Sequence, residues 1–354
     1  MTAIIPVDCA PTKWSGWAII GSCLSRFPLE SMNAPIADHE KILILASNST
    51  GNNIFCTPAI RLLKKQRPHA RIHVVALNKL CAEVFDGNPF IEEVFVIGSR
   101  RAFDKLAQDY DRVICLNANA RKKLGDVQTP METIGNLAND SHHAEQLLQF
   151  IAGMLQCEVT AEDRCYSIHS TPELAAALLK NAGITSDNLL ICIHLGCGTT
   201  KLHGWKFFYS KRAADRKLWP VDEYVKLGKA LIGENPKVRI IITGTRNESF
   251  LAKQFEREVP GTINLVGQTS VADLHSLMHQ VDLFIAHDCG VLHVAAASDV
   301  PIVGLFGPTN HVLTGPYPAR PQHRLIRKTE MAEITVPEVV KEASALIAEH
   351  PRKG

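Results

Sequence analysis

The stretch HDCGVLHVAAASDVPIVGLFGPT, residues 287–309, places an acid, a glycine and a histidine within six residues, directly after the apolar run VDLFIAH. A helix that starts near Gly290 presents unpaired backbone N–H groups and a partial positive charge, which attract phosphate. Gly290 lets backbone approach an anion closely, and Asp288, at the strand end, is suited to accept hydrogen bonds from sugar hydroxyls. His293 in the first turn would face the same mouth. A helix-capping aspartate beside a packed histidine fits the same six residues, so both readings stay open at this point.

A second loop points the same way. HLGCGTTK, residues 194–201, follows the strand-like run LLICIHL and supplies small residues and two hydroxyls, Thr199 and Thr200. The basic stretch KLHGWKFFYSKRAADRKLWP comes next. Cations beside Gly-Thr-Thr suit a diphosphate leaving group whose charge no metal neutralises, whereas a solvated surface loop is the plain alternative for most of them. Asp109-Tyr110-Asp111 precedes a strand instead of following one, so it reads as a turn and no metal site is expected. No dinucleotide-binding glycine pattern or P-loop occurs.

The elements that must position these residues alternate from Lys41 onward. KILILAS, RIHVVAL, EEVFVIG and DRVICLN read as strands, with helices through NIFCTPAIRLLKKQ and LCAEVFDG between the first three. From 117 to 167 the period blurs, and HHAEQLLQFIAGMLQ is its one clear helix. PELAAALLKNAG is a further helix, and LLICIHLG opens a second series that continues through VRIIITG, VDLFIAH and VPIVGLFG. Such alternation argues for parallel sheets with ligands beyond the carboxyl ends of the strands. The expected fold is α/β: two doubly wound, Rossmann-like parallel-sheet domains facing across a cleft. The expected boundaries are 1–38 for an N-terminal arm, 39–183, 184–330, and 331–354 for a C-terminal helix.

Composition agrees with a two-domain globular enzyme. The chain has 354 residues, is 46% hydrophobic and 21% charged, and carries a formal charge of +2, which gives no reason to expect nucleic acid as partner. Its ten cysteines contain no CxxC pair and read as buried, reduced thiols of a cytoplasmic protein. No apolar run reaches the ~18 residues of a membrane span. The arm 1–38 is expected to be a poorly specified leader or a peripheral contact at the inner membrane.

These residues resemble a known family, the ADP-heptose:lipopolysaccharide heptosyltransferases of glycosyltransferase family 9, which are inverting enzymes of GT-B fold. The resemblance rests on Asp288-Cys289-Gly290, His293, Ala295-Ala296-Ala297, Pro301 and Phe306-Gly307-Pro308-Thr309. Lys217-Leu218-Trp219-Pro220, TPAIRLLKKQRPHARI and GNPFIEEVFVI extend it over roughly residues 41–310. It implies that Thr199, Thr200 and Lys217 hold the donor diphosphate, with Gly290, Cys289 and His293 completing the pocket and Asp288 binding the donor sugar. It also implies an ADP-heptose donor, a glycan or lipid-linked acceptor such as the lipopolysaccharide core, and no cofactor.

Three positions depart from the family pattern. Cys289 stands where threonine is usual, and the stretch between Thr200 and Lys217 is long. In the first βα loop the family has Gly-Asp before Thr-Pro, the aspartate being the base that deprotonates the acceptor. Here the chain reads Gly51-Asn52, in register with Thr57-Pro58, and a neutral amide cannot usefully take that proton. Three readings stay open: another base serves, with Asp86, Asp126, Glu132, His142 and His143 as candidates; the acceptor is already ionised or ionises readily; or transfer has lapsed with donor binding kept. Arg121, Lys122 and Lys123 are expected on the acceptor side. The expected activity is metal-independent, inverting heptosyl transfer, with a protein-glycosylating heptosyltransferase and a lapsed nucleotide-sugar-binding protein as rivals.

Overall fold

The apolar runs that open each βα step become buried strands, because a parallel strand covered by helices on both faces must be apolar along its whole length. The computed structural model describes residues 35–124, 127–198, 200 and 216–351. Among these, the chain divides between His169 and Ser170 into two units.

The first unit runs β1 (Lys41–Leu45), α1 (Thr50–Gln66), β2 (Arg71–Ala76), α2 (Lys79–Ala82), β3 (Glu93–Val96), α3 (Arg100–Ala107), β4 (Arg112–Cys115), α4 (Ala118–Leu124), β5 (Met131–Thr133) and α5 (His143–Leu155). Its sheet has the order β3-β2-β1-β4-β5, all parallel. Helix α1 carries Pro58, which has no N–H for the carbonyl of Ile54. The Thr57 hydroxyl donates to that carbonyl at 2.8 Å and accepts from the Ser167 backbone N–H at 3.1 Å, so the helix passes through the proline and is tied to the end of the unit. On β4, the Arg112 side chain is buried between Glu40, at 2.7 Å, and Glu132 of β5. Glu132 is thereby committed to an ion pair.

The second unit begins with α6 (Pro172–Asn181) and continues β6 (Leu189–His194), α7 (Val221–Glu234), β7 (Val238–Thr243), α8 (Ser249–Glu258), β8 (Ile263–Asn264), α9 (Val271–Met278), β9 (Leu283–His287), α10 (Gly290–Ala296), β10 (Ile302–Phe306), α11 (His311–Thr314), β11 (His323–Arg327) and α12 (Val336–Glu349). The sheet order is β11-β10-β9-β6-β7-β8, again all parallel. Chain order reverses between β6 and β9 here, and between β1 and β4 in the first unit. These are the switch points at which successive crossovers leave on opposite faces and open a crevice at the carboxyl ends of the strands. Both units are doubly wound α/β, and together they have the GT-B fold.

Three features differ from expectation. The division comes at 170 instead of 183, because α6 packs against α9: Thr171 Oγ1 donates to Asp273 at 2.6 Å and Ser170 Oγ lies 2.8 Å from His275 Nδ1. The C-terminal helix is no separate appendage, since Val339, Ala343 and Leu346 of α12 sit in the hydrophobic core of the second unit. Strands β5 and β11 lie in stretches where no strand was expected: the first is three residues long and the second, HRLIR, begins and ends with basic residues. The N-terminal arm up to residue 34 lies outside the described residues.

Candidate active site

In the second unit, β6 and β9 are hydrogen-bonded neighbours, with His194 opposite Ala286, so the loops that follow them emerge side by side. Asp288 is the first residue beyond β9 and is 5% exposed. Lys217 Nζ donates to its Oδ2 at 3.0 Å. The lysine is placed by Trp219 and Pro220, two and three residues further on. Trp219 is fully buried, donates from Nε1 to the Ile334 carbonyl at 3.0 Å and stacks edge-on against Tyr224, while Pro220 caps the start of α7. Nearly half of the Lys217 side chain remains exposed. The preceding residue of β9, His287, is buried with its Nδ1 3.0 Å from the Tyr224 hydroxyl.

Helix α10 opens at Gly290 with Cys289 as its cap, and that cap makes no side-chain hydrogen bond. The Cys289 thiol is buried, and burial pushes it far above the range in which it would ionise. His293 lies one turn into the helix and is 3% exposed. In the loop after β6, Thr200 Oγ1 accepts from the Cys197 N–H at 3.0 Å and the Thr200 N–H donates to the Cys197 carbonyl at 2.8 Å. Its hydroxyl thus holds the loop in shape. Thr199 lies outside the described residues, as does the stretch 201–215.

One buried acid escaped the sequence reading. Glu248 is 4% exposed, accepts from the Thr245 hydroxyl at 3.0 Å, and lies 3.6 Å from His194 Nε2 at the end of β6. A Cβ at Gly196 would fall 2.1 Å from its Oε1, so glycine at 196 is what allows this carboxylate to sit between the loops after β6 and β7. The capping pattern Thr245-x-x-Glu248 was the available signal.

Asn52 belongs to the first unit, in the first turn of α1, where its backbone N–H donates to the capping Ser49 hydroxyl at 3.4 Å. Its side-chain amide makes no hydrogen bond among the described residues. Asn53 is instead fully buried: its Oδ1 accepts from the Ser47 N–H at 2.7 Å and its Nδ2 donates to the Cys81 carbonyl at 3.2 Å. Asn52 lines a small pocket with Phe55, Leu116, Asn117, Leu137, His143 and Leu147. Leu116 and Asn117 follow β4, so this pocket lies at the switch point of the first sheet. Of the other proposed bases, Asp86 is exposed, Asp126 lies outside the described residues, Glu132 is paired with Arg112, and His142 caps α5 through Nδ1, which accepts from the Ala144 N–H. Arg121 and Lys122 are exposed on α4; the Lys123 side chain lies outside the described set. Among the described residues no group of three or more His, Cys, Asp or Glu is arranged to hold a metal ion.

The family model of glycosyltransferase family 9 (heptosyltransferase) matches residues 206–343, a stretch that contains Lys217, Asp288, Cys289, Gly290 and His293. Over that stretch the chain is similar to this family. Lipopolysaccharide heptosyltransferase 2 of Salmonella typhimurium is 28% identical over 151 residues, 38% of this chain and 43% of the relative. Lipopolysaccharide heptosyltransferase 3 of Escherichia coli K12 is 23% identical over 297 residues, 75% of this chain and 82% of the relative. The chain thus spans under half the length of the first curated relatives it matches. Among solved structures, the family 9 glycosyl transferase of Veillonella parvula superposes with a TM-score of 0.73 at 19% identity, covering 90% of this chain and all of that one. The E. coli ADP-heptose lps heptosyltransferase II gives 0.69 at 18% identity, covering 88% and 100%. These likenesses establish the GT-B fold. Thr200 and Asn52 fall outside the family-model match, and their positions rest on the geometry above.

Proposed function

We propose that this protein is a glycosyltransferase that moves a heptose, by an inverting and metal-independent reaction, from ADP-heptose to a glycan of the lipopolysaccharide core. The observation that carries the reading is the Lys217–Asp288 pair at the β6/β9 switch point, inside the stretch matched to the heptosyltransferase family. In this reading the ammonium of Lys217 and the backbone N–H groups at the start of α10 meet the charge that grows on the diphosphate as the anomeric bond breaks. Asp288 accepts from donor-sugar hydroxyls, and the hydrogen bond from Lys217 orients its carboxylate. Gly290 admits the diphosphate to the backbone, while Cys289 and the buried His293 form the floor beneath it. Thr200 shapes the loop on the opposite side, and Thr199 is assigned to the same subsite.

The test is calorimetric titration of the protein with ADP-heptose, ADP and UDP-sugars, with and without Mg²⁺, alongside Asp288→Ala. Binding of the ADP compounds without metal is expected, weakened about tenfold or more in the variant, the cost of removing a charge-assisted hydrogen bond. Equal binding by the variant would remove Asp288 from the site, and no binding of any sugar nucleotide by the wild type would overturn the transferase reading.

Asn52 favours a second reading, a protein that keeps the donor site but has lost transfer. Asn52→Asp separates the two: a transferase short of its base gains rate, whereas a binding protein gains none.

A further inference from the structure

We propose that His143 is the general base of this protein, replacing the carboxylate that Asn52 does not supply. The inference rests on the transferase reading above. Its ground is the pocket at the β1/β4 switch point, where a ligand of the first sheet is expected to bind. Asn52 arrives there from the loop after β1, Leu116 and Asn117 from the loop after β4, and His143 from the first turn of α5. Among the described residues that line the pocket, His143 alone can take up a proton near neutral pH.

The neighbouring groups divide the remaining work. Asn117 is committed to the loop: its Nδ2 donates to Ser47 Oγ at 3.1 Å and its Oδ1 accepts from the Ala120 N–H at 2.9 Å. Asn52 has its amide available to orient an acceptor hydroxyl by a hydrogen bond. Phe55, Leu116, Leu137 and Leu147 give the imidazole apolar walls, and the Phe55 ring packs edge-on to His143 at 6.2 Å between centroids. The adjacent His142 does not compete, because its Nδ1 lone pair caps α5. The placement of His143 follows from the packing of α5 on α1, the helix that also carries Asn52.

In the step itself, a lone pair of the acceptor oxygen forms the bond to the anomeric carbon as the bond from that carbon to the diphosphate oxygen breaks. Its electron pair leaves with ADP. The proton of the acceptor hydroxyl passes to the imidazole of His143, which becomes imidazolium and releases it to water after product departure.

The experiment measures ADP release from ADP-heptose, in the presence of lipopolysaccharide truncated in its inner core and in its absence, where water is the acceptor. The proteins compared are wild type, His143→Ala, His143→Gln and His143→Ala/Asn52→Asp, with ADP-heptose affinity followed by calorimetry and folding by thermal melting. His143→Ala and His143→Gln are expected to lose about 10²-fold or more in turnover with affinity and melting temperature retained. The double variant should recover part of the rate, with its acid limb moved from about pH 6.5, the range of an imidazole, to about pH 4, that of a carboxylate. Turnover by His143→Ala or His143→Gln close to that of the wild type overturns this inference alone. So does an acid limb that stays in place in the double variant. Wild-type protein that neither binds nor consumes ADP-heptose overturns the transferase reading, and this inference with it.

Discussion

At the scale of single residues, the site is built from groups whose freedom has already been spent on shape. Thr200 closes its own turn, Asn53 and Asn117 hold loops, and Glu248 links the loops after β6 and β7, which leaves the amide of Asn52 for ligands. Gly196 shows how tightly this is drawn. An alanine there places its Cβ against the Glu248 carboxylate, which the Thr245 hydroxyl and His194 hold in place. Gly196→Ala is expected to lower stability by about 1–3 kcal/mol through overpacking. Adding Glu248→Ala should make the double change cost less than the sum of the two, because the clash and the displaced carboxylate are one defect. Urea unfolding of the four proteins checks it, and strict additivity would mean that the clash is relieved elsewhere. Little of this was visible beforehand. Asp288 and Lys217 stood out by type and motif, whereas nothing in the pattern Thr245-x-x-Glu248 marks the acid as buried.

At the scale of elements, ion pairs fasten the first sheet. Arg112 on β4 bridges Glu40, just before β1, and Glu132 on β5, with all three side chains largely buried. Removing the cation leaves two buried carboxylates facing each other, so Arg112→Met is expected to cost about 3–5 kcal/mol. Chemical denaturation of the two proteins reads the loss, and equal stability would mean that the bridge does not fasten the sheet. The strands KILIL and LLICIH were legible because burial on two faces writes a continuous apolar run into the sequence. Strand β11, HRLIR, was not, because an edge strand with one neighbour can carry His323, Arg324 and Arg327. Helix α6 was recognised as a helix but assigned to the wrong unit. Its amphipathic pattern reports that one face is buried, not which core buries it, and Asp273, His275 and Ser276 of α9 decide that.

For the molecule as a whole, the buried histidines set how it responds to acid. His323 is 4% exposed, neither ring nitrogen has a hydrogen-bond partner among the described residues, and burial together with nearby Arg320 lowers its pKa from 6.5 to about 3. His311, which lies 2.7 Å from the Arg327 guanidinium, is also lowered, first by burial and then by that charge. A depressed histidine leaves stability untouched above pH 6.5. Below it the unfolded chain binds a proton that the folded chain refuses, so stability falls steadily until the folded pKa near 3 is reached, at up to about 1.4 kcal/mol per pH unit for one group. Stability measured between pH 7 and pH 4 should therefore decline, and His323→Leu should decline less steeply. Parallel curves for the two proteins would show that His323 does not drive the loss.

The sequence by itself determined the alternation of strands and helices, the doubly wound class, and the second-unit loops in which the diphosphate site is proposed. Each of these is written in short-range periodicity or in motifs of a few residues, and the physics that reads them is local. Only the tertiary structure decided which residues meet. Lys217 and Asp288 are 71 positions apart, and Asn52 and His143 reach one pocket from different helices. No local pattern encodes such pairs, because they exist only once parallel strands have ordered themselves and helix packing has chosen its faces. The boundary at 170, the commitment of Glu132 to Arg112 and the isolation of His323 belong to the same class, for each depends on which apolar surfaces found one another during folding.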